Sequence, residues 1–298
     1  MSDQKTFEIN YNSASSLRAF LESEGLGMRK KYGQNFLINP KARSALIDAL
    51  EAEAGAEVWE IGPGLGAMTA SLLERGFSVQ AFEIDPGFSR VLKDLFSAEK
   101  SFSLVEGDVM KKWELQKPAP YLLGNLPYNI AAALLADFIE KGRIFNRMVI
   151  TVQKEVALRM CAAAGCADYS SLSVLCATAY KVKPLMLIRG GSFYPRPNVD
   201  SMGVLLEKLT CAGPCPAIFF PLLRSLFGSR RKTIKNNLTA FINSRFGKEL
   251  PAGACEKICA RVFTGSGLSG QERAETLEPE VFLKLADTLE NLSAECKH

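Results

Sequence analysis

Histidine is almost missing from this chain: the one histidine among 298 residues is the last, His298. A serine–histidine triad or a histidine general base is thereby excluded. Long apolar runs are missing too, and none approaches the length of a membrane-spanning helix. The start, Met1-Ser2-Asp3-Gln4-Lys5, lacks the apolar core of a signal peptide, so a cytoplasmic protein is expected. Metal-ligand spacing is absent from the cysteines. The pairs Cys211/Cys215 and Cys255/Cys259 have four-residue steps, which on a helix put both thiols on one packing face, whereas zinc wants closer pairs or histidine partners. No metal is expected, and the eight cysteines read as free thiols. Strong charge of one sign is lacking as well. The net charge of +4 is compatible with nucleic acid, but the placement of the charges matters more.

What is present is a chain 47% hydrophobic, enough for one large domain and a small one. Residues 13–24 carry Leu17, Phe20 and Leu21 at helical spacing. Asn39-Pro40 reads as an N-cap with proline in the first turn of a helix running to about Ala54. From Val58 to Val152 strand, turn and helix alternate, with strands expected at 58–61, 77–82, 102–105, 121–123 and 147–152. Such alternation builds a parallel sheet with helices on both faces and ligands at the carboxyl ends of its strands. Pro184–Ile188 reads as a short strand, and Met202–Glu207 as the strand that closes the sheet. Cys211–Pro216 reads as a linker. Beyond it the pattern is helical, at about 217–227, 230–243, 254–262 and 278–292.

Three stretches carry chemistry. Glu60-Ile61-Gly62-Pro63-Gly64-Leu65-Gly66 follows the first strand and suits either a dinucleotide or S-adenosylmethionine. Pro63 removes a backbone donor that pyrophosphate would use. Glu83 and Asp108, at the next two strand ends, suit a cofactor without phosphates, although Glu83 alone would suit NAD equally. Gly124-Asn125-Leu126-Pro127-Tyr128-Asn129-Ile130 puts an amide, a proline and an aromatic ring where a strand meets a helix. The Asn125 side-chain oxygen and the Leu126 carbonyl are candidates to accept hydrogens from a nucleobase amino group, freeing its lone pair. Tyr128 would stack on the base, and Phe193, in a stiff Gly/Pro loop, is the natural second aromatic face. A base must leave its stack to reach such a pocket, and catalysis there would be positioning and electrostatics. Finally Met28-Arg29-Lys30-Lys31-Tyr32 places three cations before an aromatic and a Gly-Gln-Asn turn.

In order, the chain contains Tyr32-Gly33-Gln34-Asn35-Phe36-Leu37, the Glu60–Gly66 loop, Glu83-Ile84-Asp85, Gly107-Asp108, Asn125–Ile130, Gln153-Lys154-Glu155-Val156 and Phe193-x-Pro195-x-Pro197-x-Val199-Asp200-Ser201. Arg230-Arg231-Lys232-Thr233-Ile234 and Arg273-Ala274-Glu275 follow. Across residues 17–290 this set resembles the ribosomal RNA adenine dimethyltransferases, specifically the bacterial small-subunit type. The resemblance implies a Rossmann-like methyltransferase sheet with a small C-terminal all-helical domain. It implies methyl transfer from S-adenosylmethionine to N6 of two adjacent adenines near the 3′ end of small-subunit RNA, late in 30S assembly. The cofactor would meet Asn35, Leu37, Gly62, Gly64, Glu83, Ile84, Asp108, Val109 and Asn125. The base would meet Asn125, Leu126, Tyr128 and Phe193. Arg29, Lys30, Lys31, Arg224, Arg230, Arg231, Lys232 and Lys235 gain a role in holding RNA phosphates.

The expected division is 1–38 as an N-terminal cofactor- and RNA-contacting segment, 39–210 as the methyltransferase domain, and 211–298 as a helical RNA-binding domain, in a monomer. Departures from the family pattern fall at Asn198, Ala131-Ala132-Ala133 and Ser170-Ser171. They leave the cofactor site intact and bear on how RNA is gripped at the pocket mouth. Two alternatives stand beside this expectation: a large-subunit, resistance-type methyltransferase, and a non-catalytic assembly or transcription factor on the same scaffold.

Overall fold

The structure is a computed structural model and describes residues 9–28, 33–126, 130–210, 215–247 and 253–295. Arg29, Lys30, Lys31 and Tyr128 lie outside the described residues. The chain forms two compact units. The first comprises residues up to Asp137 with Phe145–Ala157 and Lys183–Lys208. The second comprises Phe138–Ile144, Leu158–Val182 and the chain from Leu209 onward.

The first unit opens with α1 (Ala14–Ser23), whose N-cap Ser13 accepts from the Ser16 amide and whose Leu17, Phe20 and Leu21 are buried. A short strand β1 (Phe36–Leu37) leads to α2 (Pro40–Asp48), capped by the Asn39 side chain at the Ala42 amide. The helix stops earlier than the sequence suggested, because Ala49 and Leu50 already turn and Glu51 takes a left-handed conformation. There follow β2 (Glu57–Ile61), α3 (Ala67–Glu74), β3 (Ser78–Glu83), α4 (Pro86–Leu95), β4 (Phe102–Glu106), α5 (Val109–Lys112), β5 (Tyr121–Asn125), α6 (Ala131–Glu140), β6 (Arg147–Gln153), α7 (Lys154–Cys161) and α8 (Ser171–Ala179). Then come β7 (Tyr180–Ile188), β8 (Phe193–Tyr194) and β9 (Ser201–Lys208).

Seven strands form one sheet in the order β4-β3-β2-β5-β6-β9-β7. β2 pairs in parallel with both β3 and β5, so the chain winds one way from β2 to β4 and the other way from β5 to β6. The reversal lies between β2 and β5, where Ile61 is opposite Gly124. A ligand crevice belongs at such a switch point, past the carboxyl ends of the strands. The nearly unbroken apolar strands, such as Val149, Ile150 and Val152 at zero exposure, fit a sheet covered on both faces.

The last part of the sheet differs from expectation. Residues 202–207 do not close it; β9 lies between β6 and β7, antiparallel to β6. The edge strand is β7, and it starts at Tyr180 rather than Pro184. Composition explains the order. β9 carries the buried run Val204-Leu205-Leu206, whereas β7 carries Lys181, Lys183 and Pro184, residues suited to an edge that faces water and lacks one ladder donor.

The second unit holds α8 and, beyond the sheet, α9 (Phe219–Phe227), α10 (Ile234–Phe246), α11 (Ala254–Ser266) and α12 (Pro279–Glu295). Its core includes Phe219, Leu226, Leu238, Val262, Phe282 and Leu289. Cys255 and Cys259 are both buried on α11, the packing role that their spacing suggested. α10 begins at Ile234, four residues later than expected, because Thr233 caps it by accepting from the Asn236 amide. Arg230, Arg231 and Lys232 thus lie in the connection between α9 and α10. Ser170 and Ser173 form a reciprocal capping box at the start of α8, which gives the serine departure a local structural role.

Candidate active site

A cavity of about 330 Å³ opens at the switch point, in the size range of a small-molecule site. The glycine loop after β2 forms one wall. Its turn needs glycine because Gly64 and Gly66 have φ of +60° and +87°, and added Cβ atoms would come within 2.8 Å of Phe36 and 2.7 Å of Phe96. The Gly62 amide donates to the Phe82 carbonyl, tying the loop to β3. A Cβ on Gly62 would lie 3.8 Å from the Asn125 carbonyl, so the loop borders β5 closely.

Three carboxylates surround the cavity. Glu83 ends β3 and is buried; its Oε2 accepts from the Gly64 amide at 3.0 Å and its Oε1 from the Asp85 amide at 2.8 Å. Burial pushes its pKa up to about 7, against the lowering effect of those amides. Glu60 is also buried and accepts from the Thr69 hydroxyl at 2.6 Å. Burial, with the Glu83 charge nearby, pushes it up to about 7 as well. Asp108 caps α5 through Oδ1, which accepts from the Met110 amide at 3.0 Å. Asp108 also lines the cavity. Ile84, 40% exposed, and the buried Val109 add apolar surface to the cavity lining.

The other wall comes from β1 and β5. β1 pairs with β8 in antiparallel register, Phe36 with Tyr194 and Leu37 with Phe193. That pairing holds the Gln34-Asn35 turn against the cavity. Asn125, the last residue of β5, donates from Nδ2 to the Asn35 carbonyl at 2.7 Å. A carbonyl there can only accept, so this contact fixes which end of the amide is nitrogen and leaves Oδ1 as an acceptor. The Leu126 amide donates to the Thr151 carbonyl at 3.1 Å, which holds the backbone past β5 to β6.

The structure therefore brings Asn35, Leu37, Gly62, Gly64, Glu83, Ile84, Asp108, Val109 and Asn125 to one cavity. It does not bring Phe193 there. That ring is 3% exposed and packs in a core cluster with Leu37, Leu46 and Ile188, because its place opposite Leu37 turns it into the sheet-side core. A second hollow, lined by Gln34, Asn35, Gln153, Arg196, Asn198 and Val199, borders the first and includes the Asn198 departure.

Sequence reasoning passed over Arg43 and Tyr11. Arg43 lines the cavity from α2, and the Tyr11 hydroxyl donates to the Leu65 carbonyl of the glycine loop at 2.9 Å. The signal for Arg43 was available: it lies three and four residues before Leu46 and Ile47, on the apolar face of α2, where a cation is out of place. In the second unit Arg224 and Arg230 are exposed but paired, with Glu140 at 2.6 Å and with Glu275 at 3.0 Å. Arg231, Lys232 and Lys235 are exposed.

The residues suit S-adenosylmethionine on observations of the structure itself. Acids without a phosphate-binding partner line the cavity, two of them are costly to ionise where they stand, and the Arg43 Nε is a buried donor without a partner among the described residues.

Residues 25–251 match the family model described as ribosomal RNA adenine dimethylase. The chain is 44% identical over 291 residues to a Treponema pallidum (strain Nichols) protein named ribosomal RNA small subunit methyltransferase A, covering 95% of this chain and 98% of that protein. A Borreliella afzelii (strain PKo) protein of the same name is 36% identical over 285 residues, covering 95% and 96%. Among solved structures, a dimethyladenosine transferase from Plasmodium falciparum superposes with a TM-score of 0.72 at 27% identity, over 86% of this chain and 97% of that one. The 23S rRNA methyltransferase ErmE shares the fold, with a TM-score of 0.58 at 21% identity.

Proposed function

The chain belongs to the ribosomal RNA adenine dimethylase family, and from that premise we propose that it methylates N6 of two adjacent adenines near the 3′ end of small-subunit rRNA. The enzyme is an S-adenosylmethionine-dependent rRNA adenine dimethyltransferase with a Rossmann-like fold. We place its action in the cytoplasm, on the late-assembling 30S particle, as a monomer. Residues 39–210 carry the methyltransferase chemistry, residues 1–38 contribute to the cofactor site, and residues 211–298 serve as the RNA-binding part. No helix among the described residues is long and apolar enough to cross a membrane.

The observation that carries this reading is the orientation of Asn125. Its nitrogen is committed to the Asn35 carbonyl, so Oδ1 is presented as an acceptor beside the cavity. An adenine amino nitrogen is a poor nucleophile because its lone pair is delocalised into the ring. Accepting one amino hydrogen at Asn125 Oδ1 and another at the Leu126 carbonyl lets that nitrogen pyramidalise and turn its lone pair outward. When bound, S-adenosylmethionine supplies a methyl group already activated by its positively charged sulfur. No strong base is then required, in keeping with a chain whose one histidine is its last residue. Glu83 and Asp108 have oxygen lone pairs for ribose hydroxyls and an adenine amino group, and Ile84 covers a ring face. Tyr128 keeps its proposed role against the target base. Phe193 acts by packing behind Leu37, and reaches a base only if the β1–β8 ribbon rearranges.

The reading is tested by methyl transfer to immature 30S particles from cells lacking the modification, with the products mapped. Label at the two adjacent adenines is the expected result. Asn125→Ala should reduce turnover by about a hundredfold or more, as loss of a positioned acceptor does, while folding and RNA binding persist. Wild-type turnover in that variant would refute the amino-group mechanism, and label in large-subunit RNA would favour the resistance-type alternative.

A further inference from the structure

The charges around the cavity are lopsided. Glu60, Glu83 and Asp108 line it, and Arg43 is the one cation among its described lining residues. Arg43 stands on α2 and is 6% exposed. Its Nη1 donates to the Leu37 carbonyl at 2.7 Å and, more weakly, to the Tyr11 carbonyl at 3.5 Å. Its Nη2 donates to the Asn12 Oδ1. These partners are neutral. Among the described residues no carboxylate pairs with it, and its Nε has no hydrogen-bond partner. A guanidinium has five N–H donors in a fixed plane. Here two backbone carbonyls and one side-chain amide oxygen hold it, and among the described residues it is left without a counter-charge.

A buried cation without a counter-charge is costly. Burial already depresses the Arg43 pKa. S-adenosylmethionine carries one anionic group, the carboxylate of its methionine part, and two cationic ones. The three acids repel the first and attract the others. We propose that Arg43 anchors the carboxylate of S-adenosylmethionine, and thereby sets which end of the cavity takes the methionine part. The inference rests on the cofactor assignment above and deepens it. Tyr11 and Asn12 have a matching role: by holding the guanidinium from behind they position it, and Tyr11 also links this clamp to the glycine loop through Leu65.

The competing reading is that Arg43 is only a staple between residues 11–12 and β1. Calorimetry on the full-length chain separates the two, using S-adenosylhomocysteine and its decarboxylated counterpart, which lacks only the carboxylate. Wild-type protein should bind the first more tightly by roughly ten- to a hundredfold, the range of one hydrogen-bonded charge contact. Arg43→Met should lose that preference by weakening S-adenosylhomocysteine alone. Arg43→Lys, which keeps the charge, should restore part of it. If Arg43→Met weakens both ligands equally, the residue is a staple and the proposal falls. Should Arg43→Met fail to fold, the wild-type ratio and the lysine variant still decide, since a wild-type ratio near one overturns the proposal by itself. Failure of wild-type protein to bind either ligand would instead overturn the cofactor assignment.

Discussion

Replacing Glu60 by glutamine tests the electrostatics of this site in the absence of any ligand. Glu60 is 3% exposed, and burial pushes its pKa from an ordinary 4.5 to about 7. Between those values the folded chain holds a proton that the unfolded chain has released. The folded state then binds more protons, so stability falls as pH rises through this interval. Below pH 4.5 both states are protonated and the cost vanishes. By linkage the cost is under about 1 kcal/mol at pH 5 and about 3 kcal/mol at pH 8. Glutamine retains an oxygen to accept from the Thr69 hydroxyl, and removes the charge. The variant should therefore gain about 2 kcal/mol on wild type between pH 5 and pH 8, read as the difference in urea midpoints at constant m. A difference that does not change with pH, or one that favours wild type at pH 8, would refute the reasoning. Because the Glu83 charge is one cause of the shift, Glu83→Gln should shrink the Glu60 effect and lower the pH at which it levels off, while its onset near pH 4.5 stays where it is.

Arg231 is exposed in the α9–α10 connection. R231A should weaken binding to assembling subunits and reduce the slope of log K against log salt by about 0.7–0.9, the release of one counterion; an unchanged slope would remove Arg231 from the RNA footprint. Asn237 is buried on α10 and donates from Nδ2 to the Leu226 and Ser229 carbonyls, which fixes the start of that same connection. N237A should cost roughly 1–3 kcal/mol in urea unfolding by stranding those carbonyls, and it should weaken RNA binding while leaving S-adenosylhomocysteine affinity unchanged in calorimetry. A loss of cofactor affinity in N237A would show that its effect is not confined to the helical unit.

Much of the site was legible because its residues are tied to strand ends. Apolar runs, glycines and acids recur in fixed order, and a parallel sheet places successive strand ends side by side. Gly62, Glu83, Asp108 and Asn125 could therefore be assigned to one pocket before their distances were known. The edges of elements were less legible. The start of β7 at Tyr180 and of α10 at Ile234 depend on ladder pairing and on a cap at Thr233, and helix or strand periodicity does not register either.

The sequence by itself determined the alternating architecture, the family and the acidic, histidine-free character of the pocket, since periodicity and residue type are local properties of the chain. Only the tertiary structure decided how side chains are shared between neighbours far apart in sequence. It buried Phe193 in the core opposite Leu37, moved Lys183 and Pro184 to the sheet edge, and turned the Asn125 nitrogen toward Asn35, ninety residues away. It also set Arg43 at the wall of an acidic cavity. The reason is physical: burial and hydrogen-bond partners are properties of a packed position, and a position is defined by several chain segments at once.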